Sequence, residues 1–207
     1  DKRSSKNIAY WFVDEGSLAY GWFMHWGKTD GRGWVSRKWS GIDSKKRKLI
    51  QEQFEEAKRS EEARRREQYE ERAIEAQKIW ESANQYEDHP ALTNKGFSLN
   101  DADKRIEKEL GRLRIKSDDR SVLIPAFDEK RKLWTLQRLL RRTESRPNKM
   151  FLKGGRSGGC FYVIGGEFND LSGQVAIVEG FTTGLSVHLA LDIPVIVTFS
   201  ADNLLKV

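Results

Sequence analysis

Between Gly41 and Pro90 the chain runs without a single glycine or proline, and that interval sets its layout. Ser44 can cap its start, and a helix over 44–86 is expected, roughly 60 Å long at 1.5 Å per residue. Leu49, Ile50, Phe54 and Ala57 form one apolar stripe, and Tyr69, Ala73, Ala76 and Trp80 form another. Between them, residues 58–68 are almost wholly charged, with Glu and Arg spaced for i,i+4 pairing. An interrupted stripe favours a solvated spacer helix over one strand of a coiled coil. Arg64, Arg65 and Arg66 then belong to a solvated face rather than to a phosphate site.

Residues 7–39 read as a small β module. Tyr20, Trp22, Met24 and Trp26 alternate with Gly21, Phe23 and His25, which puts the large rings on one face. The run Lys28-Thr-Asp-Gly-Arg-Gly33 is turn chemistry, and Trp34-Val-Ser36 is the next strand. Five of the seven tryptophans fall here: Trp11, Trp22, Trp26, Trp34 and Trp39. Indole faces can stack on unpaired bases. A sheet this small also needs bulky rings to make any core, and the core reading is preferred.

Beyond the helix, His89-Pro90 breaks the pattern, and 100–113 is expected to be a short helix capped by Asn100. Residues 121–127 and 133–140 read as a hairpin turning at 128–131, and 161–164 as a further strand. The character then changes. Residues 175–178 and 194–199 are short apolar strands of the buried, parallel type, with a helix over 181–191 between them. The expected fold class is therefore α+β. It comprises a small N-terminal β module (1–43), a long charged helix (44–87), a mixed basic subdomain (88–170) and the start of an α/β sheet as a βαβ unit (171–207).

Composition narrows the partners. Lys and Arg number 37 against 31 Asp and Glu, a net charge of +6. That suits a polyanion without demanding one. Distribution is more telling: 131–156 carries Arg131, Lys132, Arg138, Arg141, Arg142, Arg146, Lys149, Lys153 and Arg156 against Glu144 alone. No apolar run approaches the roughly 18 residues of a membrane span, and residues 1–7 are not a secretory signal. The chain begins at Asp1 without a methionine and reads as an internal piece of a longer one. A lone cysteine, Cys160, excludes an internal disulfide or a Cys-based zinc site and points to the cytoplasm.

Two features can carry chemistry. Glu179 follows a buried strand at its carboxyl end, where α/β sheets place working residues. A carboxylate there is a ligand for a hard divalent cation, or simply a helix N-terminal acid favoured by the dipole. The loop Lys153-Gly-Gly-Arg-Ser-Gly-Gly159 can turn backbone N–H groups toward an anion. It is neither a Walker A loop nor a dinucleotide fingerprint, and contact with phosphate or nucleic acid is its favoured role over a plain hairpin loop. Cys160 reads as a small core residue. His25, His89 and His188 lack metal-ligand spacing, and His188 reads as packing.

The string Val175-Ala-Ile-Val-Glu-Gly-Phe-Thr-Thr-Gly-Leu-Ser-Val-His-Leu-Ala190 resembles the first motif of TOPRIM domains in primases, with Pro194-Val-Ile-Val-Thr-Phe199 as the second strand. Val122-Leu-Ile-Pro-Ala-Phe-Asp128, Pro147-Asn-Lys-Met-Phe-Leu-Lys-Gly-Gly155 and Gly159-Cys-Phe-Tyr-Val-Ile-Gly165 resemble the basic subdomain that precedes it. The whole is most similar to primases of phages, plasmids and integrative elements, over roughly residues 88–207.

The resemblance implies template-directed RNA primer synthesis on single-stranded DNA from ribonucleotides, with a replicative helicase as a further partner. Glu179 would serve as metal ligand or general base beside Mg2+ (or Mn2+). Arg120, Arg138, Lys149, Lys153, Gly154, Gly155 and Arg156 would line the groove for template and nucleotide. It also implies an Asp-x-Asp pair on a third strand. That strand lies beyond Val207, and Asp202 is not its substitute, so residues 1–207 are expected to be catalytically incomplete. The cysteine-rich zinc module usual in primases is not in this sequence. A non-catalytic single-strand-binding module is the competing reading. Strand cleavage is disfavoured, because topoisomerases require a tyrosine nucleophile in a separate domain.

Overall fold

The computed structural model describes residues 8–25, 31–141 and 147–207. The chain divides into two compact units, Asp1–Glu67 and Gln68–Val207, and the division falls inside the long helix. Arg142, Glu144 and Arg146 of the basic segment, and Trp26 and Lys28 to Asp30 of the β module, lie outside the described residues.

In the first unit β1 (Ile8–Asp14), β2 (Ala19–His25) and β3 (Arg32–Val35) form an antiparallel meander. Tyr20, Trp22 and Met24 are buried, as the two-residue period requires. The Trp11 ring meets Tyr20 edge-on at 6.2 Å and Phe54 of the long helix at 5.9 Å. Arg32 and Gly33, expected in a turn, are instead the first residues of β3. A Cβ at Gly33 would lie 2.3 Å from the Phe54 ring, so the glycine serves close packing rather than a bend.

The long helix α1 spans Ser44–Ser82. Its cap is Asp43 rather than Ser44: Asp43 Oδ2 accepts from the backbone N–H of Lys45 (2.9 Å) and Lys46 (3.3 Å). Ile50 is fully buried while Leu49 stays exposed, so the first stripe is narrower than expected. The helix also ends earlier than residue 86. Asn84–Gln85 (β4) pair with Lys116–Asp118 (β5), and Lys116 Nζ donates to the carbonyls of Trp80 (2.7 Å) and Ala83 (3.1 Å). A lysine from a distant strand thus satisfies carbonyls that the helix end leaves unpaired.

In the second unit, Pro90–Thr93 (α2) starts at its proline, with His89 Nδ1 accepting from Ala91 N–H at 3.0 Å. The helix expected from Asn100 is Lys104–Arg112 (α3), capped by Asp103. Asn100 is diverted, since its amide donates to Asp88, which also accepts from Ser98 and Leu99. Ser121–Phe127 (β6) and Leu133–Leu140 (β7) form the expected hairpin, and with Lys149–Phe151 (β8) complete an antiparallel sheet of order β4-β5-β6-β7-β8.

A second sheet holds Tyr162–Ile164 (β9), Ala176–Val178 (β10) and Val195–Val197 (β11) in the order β10-β11-β9. The strands β10 and β11 are parallel and joined by Phe181–Leu191 (α4), while β9 is antiparallel to β11. Reciprocal backbone hydrogen bonds between Phe127 and Phe161 stitch the two sheets. Between them one core gathers Val122, Ile124, Ala126 and Leu139 with Ile164, Phe181, Leu185, Val195 and Val197. The expectation of two fully buried strands is corrected for β10, where Ile177 is 55% exposed: with Ile196 and Val163 it lies on the sheet face opposite the one that α4 covers through Val178, Val197 and Ile164. Among the described residues no helix is long and apolar enough to cross a membrane.

The hairpin turn is organised by Asp128. Its Oδ1 accepts from the N–H of Lys130 (3.0 Å) and Lys132 (2.9 Å), and its Oδ2 from Trp134 Nε1 (2.7 Å). Burial opposes ionisation, but these hydrogen bonds and the nearby Arg156 outweigh it and hold the carboxyl below its ordinary 3.8. The ionised form therefore contributes stability that is present above about pH 4 and is lost as pH falls through the depressed folded value. Asp128→Asn is expected to lower unfolding stability by about 1–3 kcal/mol at pH 7. In urea titrations the gap to wild type should shrink as the pH drops below 4; a gap unchanged with pH would refute the role of the charge.

Candidate nucleic-acid and phosphate site

Glu179 stands exposed at the carboxyl end of β10, directly before α4. Gly180 is the N-cap of that helix and has no side chain to cap with, and the first turn holds no acid. Its N-terminal N–H groups are thus left for an outside acceptor, at the positive end of an 11-residue helix. Two lysines approach this turn from different elements. Lys149, the first residue of β8, puts Nζ 3.4 Å from where a Cβ on Gly180 would stand, with Thr183 Oγ1 at 3.5 Å from the same point. Lys95, from the loop after α2, brings Nζ to 3.4 Å from Thr182 Oγ1. Backbone N–H groups, two hydroxyls and two ammonium groups converging on a helix N-terminus can hold a phosphate.

The register separates the other basic residues. Lys149 is opposite Leu139, and Phe151 is opposite Gln137, so both lie on the sheet face turned to the second sheet, where Phe151 meets Phe199 edge-on at 5.5 Å. Arg138 is opposite Leu123 and Met150, on the other face. There it donates to Asp118 Oδ2 at 2.6 Å and to Ser121 Oγ at 3.2 Å. Burial works against the Asp118 charge, but hydrogen bonds from Arg120 N–H and Ser121 and the charge of Arg138 lower its carboxyl below the usual range. Arg120 itself is exposed in the β5–β6 turn, and Arg141 is exposed just past β7. Strand order brings Arg120, Arg138, Arg141 and Lys149 to one end of the sheet, but not to one face.

The glycine loop divides in the same way. Lys153 and Gly154 are exposed, and Gly154 takes the left-handed backbone (φ +78°). Gly155 packs against Thr135, whose Oγ1 would be 2.5 Å from a Cβ there. Arg156 is half-buried with its guanidinium 4.5 Å from the Trp134 ring centre, and its Nε donates to Gly158 O at 3.0 Å. Lys132 Nζ lies 4.0 Å from the same ring centre. Asn203 closes the loop: its Oδ1 accepts from Gly159 N–H (2.7 Å), and its Nδ2 donates to Cys160 O and Thr198 O (both 2.8 Å). Cys160 is fully buried, and burial pushes its thiol up to about 12, which makes it inert as a nucleophile.

Among the described residues no group of three or more His, Cys, Asp or Glu stands together to hold a metal ion. Glu179 supplies one carboxylate, which falls short of a complete protein site for a divalent cation. A cavity of about 420 Å³ opens at the opposite end of α4, lined by Arg112, Arg114, Arg131, Phe161 and His188 among others. It does not include Glu179. His188, read from sequence as packing, is buried and also bridges Ile193 O (2.8 Å) and Glu109 Oε2 (3.2 Å). Sequence reading missed Lys95 and Asn203, whose partners Thr182, Gly159 and Cys160 lie tens of residues away, and Trp134, whose ring joins the nearby Asp128 and Lys132 to the distant Arg156.

Comparison with known proteins gives one relationship to weigh. No family model matches the chain, and no solved structure matches it. DNA primase TraC of Escherichia coli is 33% identical over 104 residues, which is 49% of this chain and 9% of that protein. The similarity is thus a loose one to a primase, and the chain spans a small part of that relative.

If Lys149 contacts a phosphate, Lys149→Ala should reduce the salt dependence of single-strand binding by roughly 0.7 in the slope of log K against log salt. Arg138→Ala, which removes a cation already paired with Asp118, should leave the slope as in wild type. Anisotropy titrations from 50 to about 300 mM salt would measure both. Equal slopes for wild type and Lys149→Ala would remove Lys149 from the site.

Proposed function

We propose that this chain is part of a DNA primase that synthesises an RNA primer on single-stranded DNA during replication of a mobile element. The observation that carries the reading is the similarity to DNA primase TraC over half the chain. It is supported by a carboxylate and a phosphate-ready helix terminus at the end of a parallel strand. In the finer reading β10, α4 and β11 begin a TOPRIM domain. Glu179 is then the acid beside the primer 3′-hydroxyl, acting as general base or as one ligand of a cation. That oxygen attacks the α-phosphorus of the incoming ribonucleotide, its proton passes to a base, and pyrophosphate leaves. Mg2+ (or Mn2+) would neutralise the phosphates there, with carboxylates beyond Glu179 completing its shell.

Lys149 and Lys95 hold the nucleotide phosphates at the α4 terminus, and Arg120 and Lys153 meet the template backbone. Arg138 and Arg156 keep the scaffold in shape. A replicative helicase is the expected partner of the longer protein. A second reading is a non-catalytic single-strand-binding module, in keeping with the fact that among the described residues no group of three or more His, Cys, Asp or Glu stands together to hold a cation.

The full-length parent protein, supplied with single-stranded DNA, ribonucleotides and Mg2+, is expected to make primers that Glu179→Gln reduces by at least about a hundredfold. Equal primer yield from both would sink the catalytic assignment and leave the binding module.

A further inference from the structure

The β module presents a second aromatic surface, distinct from the rings that form its core. Residues directly opposite in register share a face. Tyr10, Phe23 and Arg32 therefore form one row across β1, β2 and β3, and Phe12, Gly21 and Trp34 form the next. These side chains alternate with the buried Tyr20, Trp22 and Met24, so they occupy the outward face. Phe12 is 62% exposed, Tyr10 43%, and Phe23 and Trp34 each 40%. The second row closes over the glycine: a Cβ at Gly21 would lie 2.9 Å from Trp34 Nε1 and 3.0 Å from Phe12 Cβ. Four rings and a guanidinium thus lie in two adjacent rows.

From this arrangement we infer that the outward face of β1–β3 is a stacking platform for unpaired bases of single-stranded DNA. Register also puts Ala19 and Asp14 on this face, beyond the Phe12 row, but its large apolar side chains among the described ones are all aromatic, which suits flat π-faces better than an aliphatic protein interface does. Charge points the same way. Arg32 ends one row, and Arg37, Lys38, Lys45, Arg47 and Lys48 are exposed in the same unit. Rings on neighbouring strands stand about 5 Å apart, so each row can take a base while Arg32 takes a phosphate. The choice of DNA over RNA rests on the primase reading; the stacking itself does not.

The test is anisotropy of a labelled oligo-dT with the full chain, comparing wild type, Phe12→Ala/Phe23→Ala and Phe12→Tyr/Phe23→Tyr. These side chains lie outside the core, and circular dichroism checks that each variant is folded. The alanine pair should weaken binding at least about tenfold, while the tyrosine pair stays within about twofold. Unchanged affinity in the alanine pair overturns the platform, as does equal binding of duplex DNA, whose bases are not available to stack. Self-association that the alanine pair abolishes would show a protein interface instead, and also overturns it. If the alanine pair binds normally and Lys149→Ala does not, the platform fails while the single-strand reading stands. Binding of oligo-U without oligo-dT overturns the choice of DNA.

Discussion

The carboxamide of Asn203 ties the glycine loop to the end of the parallel strand pair, and much of the second unit's geometry depends on it. All its hydrogen-bonding groups are turned inward: it accepts from Gly159 N–H and donates to Cys160 O and Thr198 O. The two carbonyls would otherwise be unpaired in the buried interior, at about 1–3 kcal/mol apiece, and the half-buried Gly159 N–H gains a fixed partner. Cys160 leads directly into Phe161, whose backbone bonds with Phe127 join the two sheets. Thr198 follows β11, and its N–H and hydroxyl both donate to Val178 O, one residue before Glu179. One buried side chain therefore links the loop, the sheet junction and the strand end that carries the acid.

A similar economy governs the basic segment. Arg156 and Lys132 flank the Trp134 ring, whose N–H is held by Asp128, so two cations, an aromatic and an acid form one assembly at the hairpin turn. Arg138 is neutralised by Asp118 on the far face of the sheet. Arg131 pairs with Glu167, and Lys132 also reaches Glu70. Charges held this way position loops and strands, and they are poorly placed to answer a phosphate. Among the described residues, Lys149, Lys153, Arg120 and Arg141 make no such ion pairs. The net positive field of the segment therefore comes mainly from the second group rather than from the paired cations.

The sequence disclosed what is local and missed what is long-range. Strands β6 and β7 and helix α4 match the expected residue ranges, because alternation and helical periodicity act over neighbours. Helix starts were misplaced where two capping residues competed. Asp43 displaced Ser44, and Asp103 displaced Asn100 once Asp88 had drawn Asn100 away. The end of α1 depends on Lys116, more than thirty residues downstream, which no window on the helix contains. Glu179 was legible as the residue after a buried strand followed by glycine. Its lysine neighbours were not paired with it in advance, since β8 and the loop after α2 reach it only through the tertiary fold. The exposure of Ile177 follows from which face of the sheet α4 covers, which local pattern does not encode.

The two faces of the β module show how a correct inference can hide a second one. The alternation of Tyr20, Trp22 and Met24 explained the aromatic content as core, and those residues are indeed the core. Alternation says equally that the intervening positions face outward, and on β2 these include Gly21 and Phe23. Whether they form a surface depends on register with β1 and β3, which brings Tyr10, Phe12, Trp34 and Arg32 beside them. A core needs only one face of a three-stranded sheet. Aromatic rings on the other face are only partly buried within the unit, and contiguous exposed apolar groups of this size are normally confined to places with a use. Their presence in two rows, edged by Arg32, is what the proposed stacking platform would use: flat rings for bases and a guanidinium for a phosphate.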